Sequence, residues 1–127
     1  MNMESYSYFN DYFELSEFDS PDEVGSGVNM DTQFLDMIND ARQYANVPFV
    51  ITSGYRTKAH NKKVGGSSTS SHLKGLAADI SCVNSVERLL IIAGLLDAGF
   101  SRIGIAKDFI HVDCDLSKPS CLWLYEL

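Results

Sequence analysis

SSHLKGLAADI, residues 70–80, puts His72 seven positions ahead of Asp79, and the way that interval folds decides what kind of domain surrounds it. Side chains on one helical face recur at three or four residues, and a metal pair built on a helix is spaced as in H-E-x-x-H. Seven fits neither. The stretch divides instead into a polar loop, SSHLKG, and LAADISC (76–82), a β-branched and apolar run that reads as a strand. Alternate strand residues share a face, so Ala77, Asp79 and Ser81 point one way, with His72 carried on the loop that feeds them.

The same parity recurs downstream. SRIGIA (101–106) and KDFIHVDCD (107–115) read as two short strands joined by a turn at residues 106–108, with Phe109, His111 and Asp113 on one face. If the Asp79 and His111 strands are neighbours, the two side chains meet and His72 can swing over the same spot. Further out, VPFVITS (47–53) predicts a short buried strand, and LWLYEL, after the Lys118-Pro119 break, a last one. Phe34, Leu35, Ile38, Ala41 and Ala45 recur at helical period behind a cap at Asn29 or Asp31. Asn84 caps a second helix, with Glu87 placed for a capping box and Gly99 placed to end it. Residues 54–71, with three glycines and many hydroxyls, form a long loop with room for one helical turn around Lys58 to Lys62. The expected fold class is α+β: two main helices packed against a mostly antiparallel sheet. Residues 29–127 form the domain, and residues 1–28, aromatic and acidic, form an arm packed on it.

The 127 residues suit one domain that buries its own core. A composition 45% hydrophobic and 21% charged is that of a soluble globular chain, with no apolar run near the ~20 residues of a membrane-spanning helix. The net charge of −7 argues against an electrostatic grip on nucleic acid. Cys82, Cys114 and Cys121 are odd in number and irregular in spacing, which predicts reduced buried thiols rather than disulfides or a zinc ribbon. The start, MNMESYSYFNDYFELSEF, lacks the basic end and apolar centre of a secretion signal, so the expected location is the cytoplasm of the producing cell unless something releases the protein.

Two imidazoles and one carboxylate make the three-ligand set of catalytic zinc, with the fourth position left for water. Such zinc lowers the pKa of its water towards ~7 and polarises a carbonyl. Asp108, three residues before His111, is placed to act as base without being a ligand, and Arg56 to stabilise an oxyanion or hold a substrate carboxylate. On the residues alone, an ordinary hydrogen-bonded His–Asp pair stays open.

The pattern S-x-H-x-x-G-x-A-x-D, spelled by Ser70, His72, Gly75, Ala77 and Asp79 and followed by the H-x-D of His111 and Asp113, resembles the signature of the zinc D-Ala-D-Ala carboxypeptidase family. SGYR (53–56), HNKKVGG (60–66) and DFIHVD (108–113) extend the likeness over about residues 30–125. That family is grouped with lysostaphin-type endopeptidases and the Hedgehog signalling domain, and the small single-domain form most resembles phage and prophage peptidoglycan hydrolases. The resemblance implies that His72, Asp79 and His111 bind Zn²⁺, that Asp108 is the general base, that Arg56 steadies the scissile carbonyl, and that Ser70 hydrogen-bonds the substrate. It implies single-displacement hydrolysis of peptidoglycan stem peptides, either removal of terminal D-Ala or cleavage between L-Ala and D-Glu. A monomeric phage endolysin, acting on the wall after release or as part of a virion, is the expected setting. The rival from another class is a non-catalytic zinc domain serving as a binding or virion module.

The remaining candidates have plainer readings. His60 reads as a structural hydrogen bonder, since three protein ligands suffice. Cys114 falls on the face opposite His111 and reads as a core thiol. Asp113 reads as a carboxylate orienting a ligand or as an exposed charge, and Asp115 as solvated. Trp123 and Tyr125 alternate at strand period, with core or rim packing as the default reading and the groove flank as the other.

Overall fold

The computed structural model describes residues 10–126, so Tyr6, Tyr8 and Phe9 of the arm lie outside the described residues. Asp31 opens the first helix, α1 (Thr32–Ala45), its carboxylate accepting the Phe34 N–H at 3.0 Å. Asn46 closes it in the left-handed conformation at φ 57°. Strand β1 (Ile51–Ser53) leads through residues 54–57 into a short helix, α2 (Lys58–Lys63), which Thr57 caps through the His60 N–H. A 3-10 turn, Ser71–Lys74, then feeds β2 (Ala77–Ser81). Helix α3 (Ser85–Asp97) starts from Asn84, whose side chain accepts the Glu87 N–H, and β3 (Arg102–Ile105), β4 (Phe109–Asp113) and β5 (Cys121–Leu124) complete the chain.

The five strands order as β1-β2-β4-β3-β5. Every pairing is antiparallel except β3 with β5, so the mostly antiparallel sheet of an α+β fold is what forms. One face of the sheet presents Ala78, Ile80, Ile103, Ile110 and Val112 to the core, where Phe34, Leu35, Ile38, Ile91 and Leu95 of the two long helices meet them. The helices come close because Gly94 has no side chain: a Cβ there would lie 2.5 Å from the Ala41 carbonyl oxygen. Phe13 and Phe18 of the arm are buried in the same cluster, their rings tilted against each other at 5.6 Å between centroids.

Two expectations need correction. The first strand is half as long as its β-branched run and is not buried. As the outermost strand it has only β2 beside it, its register slips between Ile51 and Ser53, and Val50 is exposed. The helical turn expected around Lys58 to Lys62 forms as α2, which Thr57 caps. Of the cysteines only Cys82 is buried; Cys114 is half-buried, and Cys121 is exposed because β5 is the other edge of the sheet. No helix among the described residues is long and apolar enough to cross a membrane.

Candidate metal centre

The strand pairing sets Asp79 directly opposite His111, and the Ser71–Lys74 turn lays His72 over both. One ligand atom from each of the three lies within 4.8 Å of the others, and all three residues are buried. The His72 Nδ1–H donates to the Gly54 carbonyl at 2.7 Å; a carbonyl only accepts, so Nε2 is the nitrogen turned towards Asp79, 3.4 Å from its Oδ1. His111 is oriented from behind in the same way. Its Nε2–H donates to Asp113 Oδ2 at 2.8 Å, which leaves Nδ1 facing Asp79 Oδ1 at 2.9 Å. Each imidazole thus has its outer nitrogen engaged and its inner nitrogen aimed at the shared carboxylate, the arrangement that metal-binding histidines adopt. The donor set, two nitrogens and a carboxylate, fits zinc.

Charge balance within the cluster depends on this contact. Burial pushes the Asp79 carboxyl upward, but without a metal a proton on the facing nitrogen of His111 or His72 hydrogen-bonds it, and these contacts outweigh burial and hold the group well below the usual carboxylate range. For His111 burial pulls downward, and the bonds to Asp113 and Asp79 reverse the sign and raise it. Asp113, raised by burial, is lowered on balance by His111 and Arg102. Arg102 Nε donates to Asp113 Oδ1 at 2.7 Å, and its guanidinium lies 5.0 Å from the Trp123 ring centroid. That ring rests on Gly104, where a Cβ would come within 2.6 Å of it.

Most of the residues singled out from the sequence come together here, and one does not. Arg56 reaches the cluster, its NH2 atom 3.7 Å from Asp79 Oδ2, with its Nε bonded to Ser53 Oγ and NH1 to Asn61 Oδ1 at 3.2 Å each. Ser70 lines the groove over the cluster, and its Oγ accepts the His72 N–H at 3.2 Å. Asp113 is buried against His111, so of its two readings the ligand-orienting carboxylate is the one the geometry fits. Trp123 and Tyr125 line the groove with Phe109, their rings in contact as an aromatic wall, and Val64, Gly66 and Ser67 line it as well. His60 stays outside the ligand group, on α2. Cys114 packs against the core cluster, and burial first, then the nearby Asp31, Asp113 and Asp115 charges, push its thiol up to about 11, so it is no thiolate at neutral pH.

Asp108 is the exception: it is exposed on the turn between β3 and β4 and is not among the side chains lining the groove, while its carbonyl accepts the Cys82 N–H at 3.0 Å. Asp115 also departs from expectation. It is buried rather than solvated, gathering Ser71 Oγ, Lys74 Nζ and Ser117 Oγ within 3.0 Å. Sequence reasoning missed Arg102, Lys118 and the Gly54 carbonyl. Arg102 had a latent signal, since it pairs across the sheet with Asp113, but that signal exists only once the β3–β4 register is known.

A sheet that carries one histidine and a carboxylate, with a second histidine laid over them from a turn and each imidazole's outer partner in place, defines a candidate metal-dependent enzyme. The family model described as Peptidase M15 matches residues 11–113, and the chain belongs to this family of metallopeptidases. Peptidase M15 proteins are typically zinc-dependent and act on peptidoglycan peptides, and the fold described above is consistent with theirs. No curated protein matches the chain. The matched span takes in His72, Asp79 and His111 but stops before β5, so the aromatic wall of Trp123 and Tyr125 falls beyond it.

Proposed function

We propose that the protein is a zinc hydrolase of peptidoglycan stem peptides, holding the ion through His72 Nε2, Asp79 and His111 Nδ1. The observation that carries this reading is the placement of Arg56 beside the ligand carboxylate, 3.7 Å away, at the floor of an open groove. A structural zinc site closes its coordination with protein ligands and needs no guanidinium aimed at it. Zinc bound there would polarise a peptide carbonyl and make water nucleophilic near neutral pH.

The side chains then divide the work. Arg56 holds the carbonyl oxygen as charge develops on it, and Ser70 hydrogen-bonds the peptide along the groove. Asp108 takes a proton from the attacking water and returns it to the leaving amine, which requires its exposed carboxylate to turn in over the Phe109 end of the groove when substrate binds. No acyl-enzyme forms. Cell-wall degradation as a phage endolysin is the setting this reading favours, with D-Ala removal and cleavage between L-Ala and D-Glu as the two reactions.

One observation favours a second reading. Asp108 is outside the groove lining, as it would be in a non-catalytic zinc domain used for binding or as a virion part. Mass spectrometry of soluble products from purified peptidoglycan, with zinc-loaded wild type beside Asp108→Ala, separates the two. Free D-Ala marks a carboxypeptidase and stem peptides with a new D-Glu amino end mark an endopeptidase, both lost in Asp108→Ala while zinc is retained. A zinc-bound wild type that releases nothing from any wall leaves the binding domain as the answer.

A further inference from the structure

The arm makes contacts beyond core packing. Residues 54–57, which link β1 to α2 and include Arg56, lie between a strand and a helix and so lack a ladder of their own. Three successive N–H groups there are nevertheless satisfied, and they alternate between two elements. The Tyr55 N–H donates to the Phe18 carbonyl at 2.9 Å and the Arg56 N–H to the His72 carbonyl at 3.1 Å, while the Thr57 N–H donates to Ser20 Oγ at 3.2 Å. Asp22 fastens both hydroxyls, accepting from Ser20 Oγ at 2.5 Å and from Thr57 Oγ1 at 2.6 Å. The arm also meets residue 54: a Cβ on Gly54 would lie 2.7 Å from Phe18 Cα, and the Gly54 carbonyl is the acceptor that orients His72. The hook formed by residues 18–22 is itself pinned, with Asp19 accepting the Gly25 and Gly27 N–H groups at 2.9 and 2.7 Å. Ser20 is buried, and its N–H donates to Ser26 Oγ.

We infer that this hook is a positioning element for the catalytic centre: the Phe18 carbonyl holds Tyr55, and Ser20 with Asp22 holds Thr57, so that the hook, none of whose residues lines the groove, fixes the backbone on either side of Arg56 and turns it to Asp79. The inference rests on the reading of Arg56 as the carbonyl-holding group. Freed from the hook, the Tyr55 and Thr57 N–H groups lose their partners, and the linker is left with the bonds of Gly54 and Arg56 to His72, the cap of Thr57 on α2 and the side-chain bonds of Arg56. The matched family span begins at residue 11 and so includes the hook.

The test uses the full zinc-loaded chain with Ser20→Ala and, because Ser20 is buried, the milder surface change Asp22→Asn. Amide hydrogen exchange is followed at Tyr55, Arg56 and Thr57, with Ile80 and Ile110 as core references, and kcat and KM are measured on peptidoglycan fragments. Loss of about one hydrogen bond at Thr57 predicts exchange there roughly tenfold faster, with a smaller rise at Tyr55 and Arg56 as the linker loosens and none at the core references. A misplaced Arg56 predicts kcat about tenfold lower with KM little changed. General weakening of the fold would speed the core references as well, which overturns the inference. Unchanged exchange at residues 55–57 overturns it too, as does faster exchange with full turnover. If the wild type cleaves nothing, the functional reading fails on its own, and the exchange at residues 55–57 still upholds or overturns the hook.

Discussion

The two faces of strands β2 and β4 have the same backbone and opposite chemistry. Towards the helices they present Ala78, Ile80, Ile110 and Val112, each fully buried by α1 and α3. One residue along, the same strands present Asp79, His111 and Asp113, which are also buried, yet by a loop, an aromatic edge strand and one another. Burial on the first face is stabilised by apolar area removed from water. Burial on the second is tolerated only because every charged group has a partner. A buried face therefore need not be a core face, and the distinction lies in whether its polar groups converge.

Breaking the second face should show most in metal binding. Asp79→Ala removes one of the three proposed ligands, the carboxylate that both inner imidazole nitrogens face, so zinc should no longer be retained on dialysis, while the apo chain still folds. Zinc that copurifies in stoichiometric amount with Asp79→Ala would reject the ligand assignment. Ile110→Ala on the first face should act in the opposite sense. Truncating a fully buried isoleucine costs ~2–5 kcal/mol in urea unfolding of the metal-free protein, and zinc affinity of the molecules that remain folded should be unchanged. If both changes lowered stability and zinc affinity alike, the two faces would not be separable.

Asp113→Ala sharpens the comparison, because Asp113 lies on the second face without being a ligand. Its loss releases the His111 ring from the tautomer that turns Nδ1 inward and leaves Arg102 without its buried partner. A zinc affinity lower by ~10–100-fold is expected from a partner of this kind. Competition with a chelator measures it, and Asp113→Glu should recover part of the loss. An affinity within twofold of wild type for Asp113→Ala would make the carboxylate a partner of Arg102 alone.

Much of this is legible in the sequence, for a physical reason. Strand parity is strictly two, so once LAADISC and DFIHVD are read as strands, Asp79 falls on the face away from Ala78 and Ile80 and His111 on the face away from Ile110 and Val112, and the two meet because these strands pair. Helix α1 is readable from its apolar period and its Asp31 cap. What cannot be read depends on register or on distant contact. Arg102 meets Asp113 only because β3 pairs with β4 at that offset, and the Gly54 carbonyl matters only because a turn eighteen residues on brings His72 against it. The exposed Val50 follows from β1 being outermost, a property of strand order that β-branched composition does not encode. Asp115 escapes its solvated reading because a carboxylate at a strand end is ordinarily in water, and nothing local announces that Ser71 and Lys74, far back in the chain, will close over it.

Asp115 supplies the smallest expected effect, and one whose sign is fixed. Burial raises its carboxyl, but hydrogen bonds from Ser117, Ser71 and Lys74 outweigh that and depress it well below the ordinary 3.8. A depressed carboxylate contributes stability above its unfolded-state pKa and loses it as the pH falls through its folded-state value. Asp115→Asn keeps the shape and removes the charge, leaving the amide to face Lys74 and Lys118. The variant should be less stable by ~1–2 kcal/mol at pH 7, with the gap to wild type constant down to about pH 4 and closing below it. Urea melts of the metal-free proteins at pH 7, 4 and 2.5 measure this. Because Asp115 is not a ligand, zinc affinity at pH 7 should stay that of wild type. A gap that persists undiminished at pH 2.5 would mean that the substituted amide fails by its shape rather than by its missing charge, and that this corner of the second face is held by packing as the helix face is.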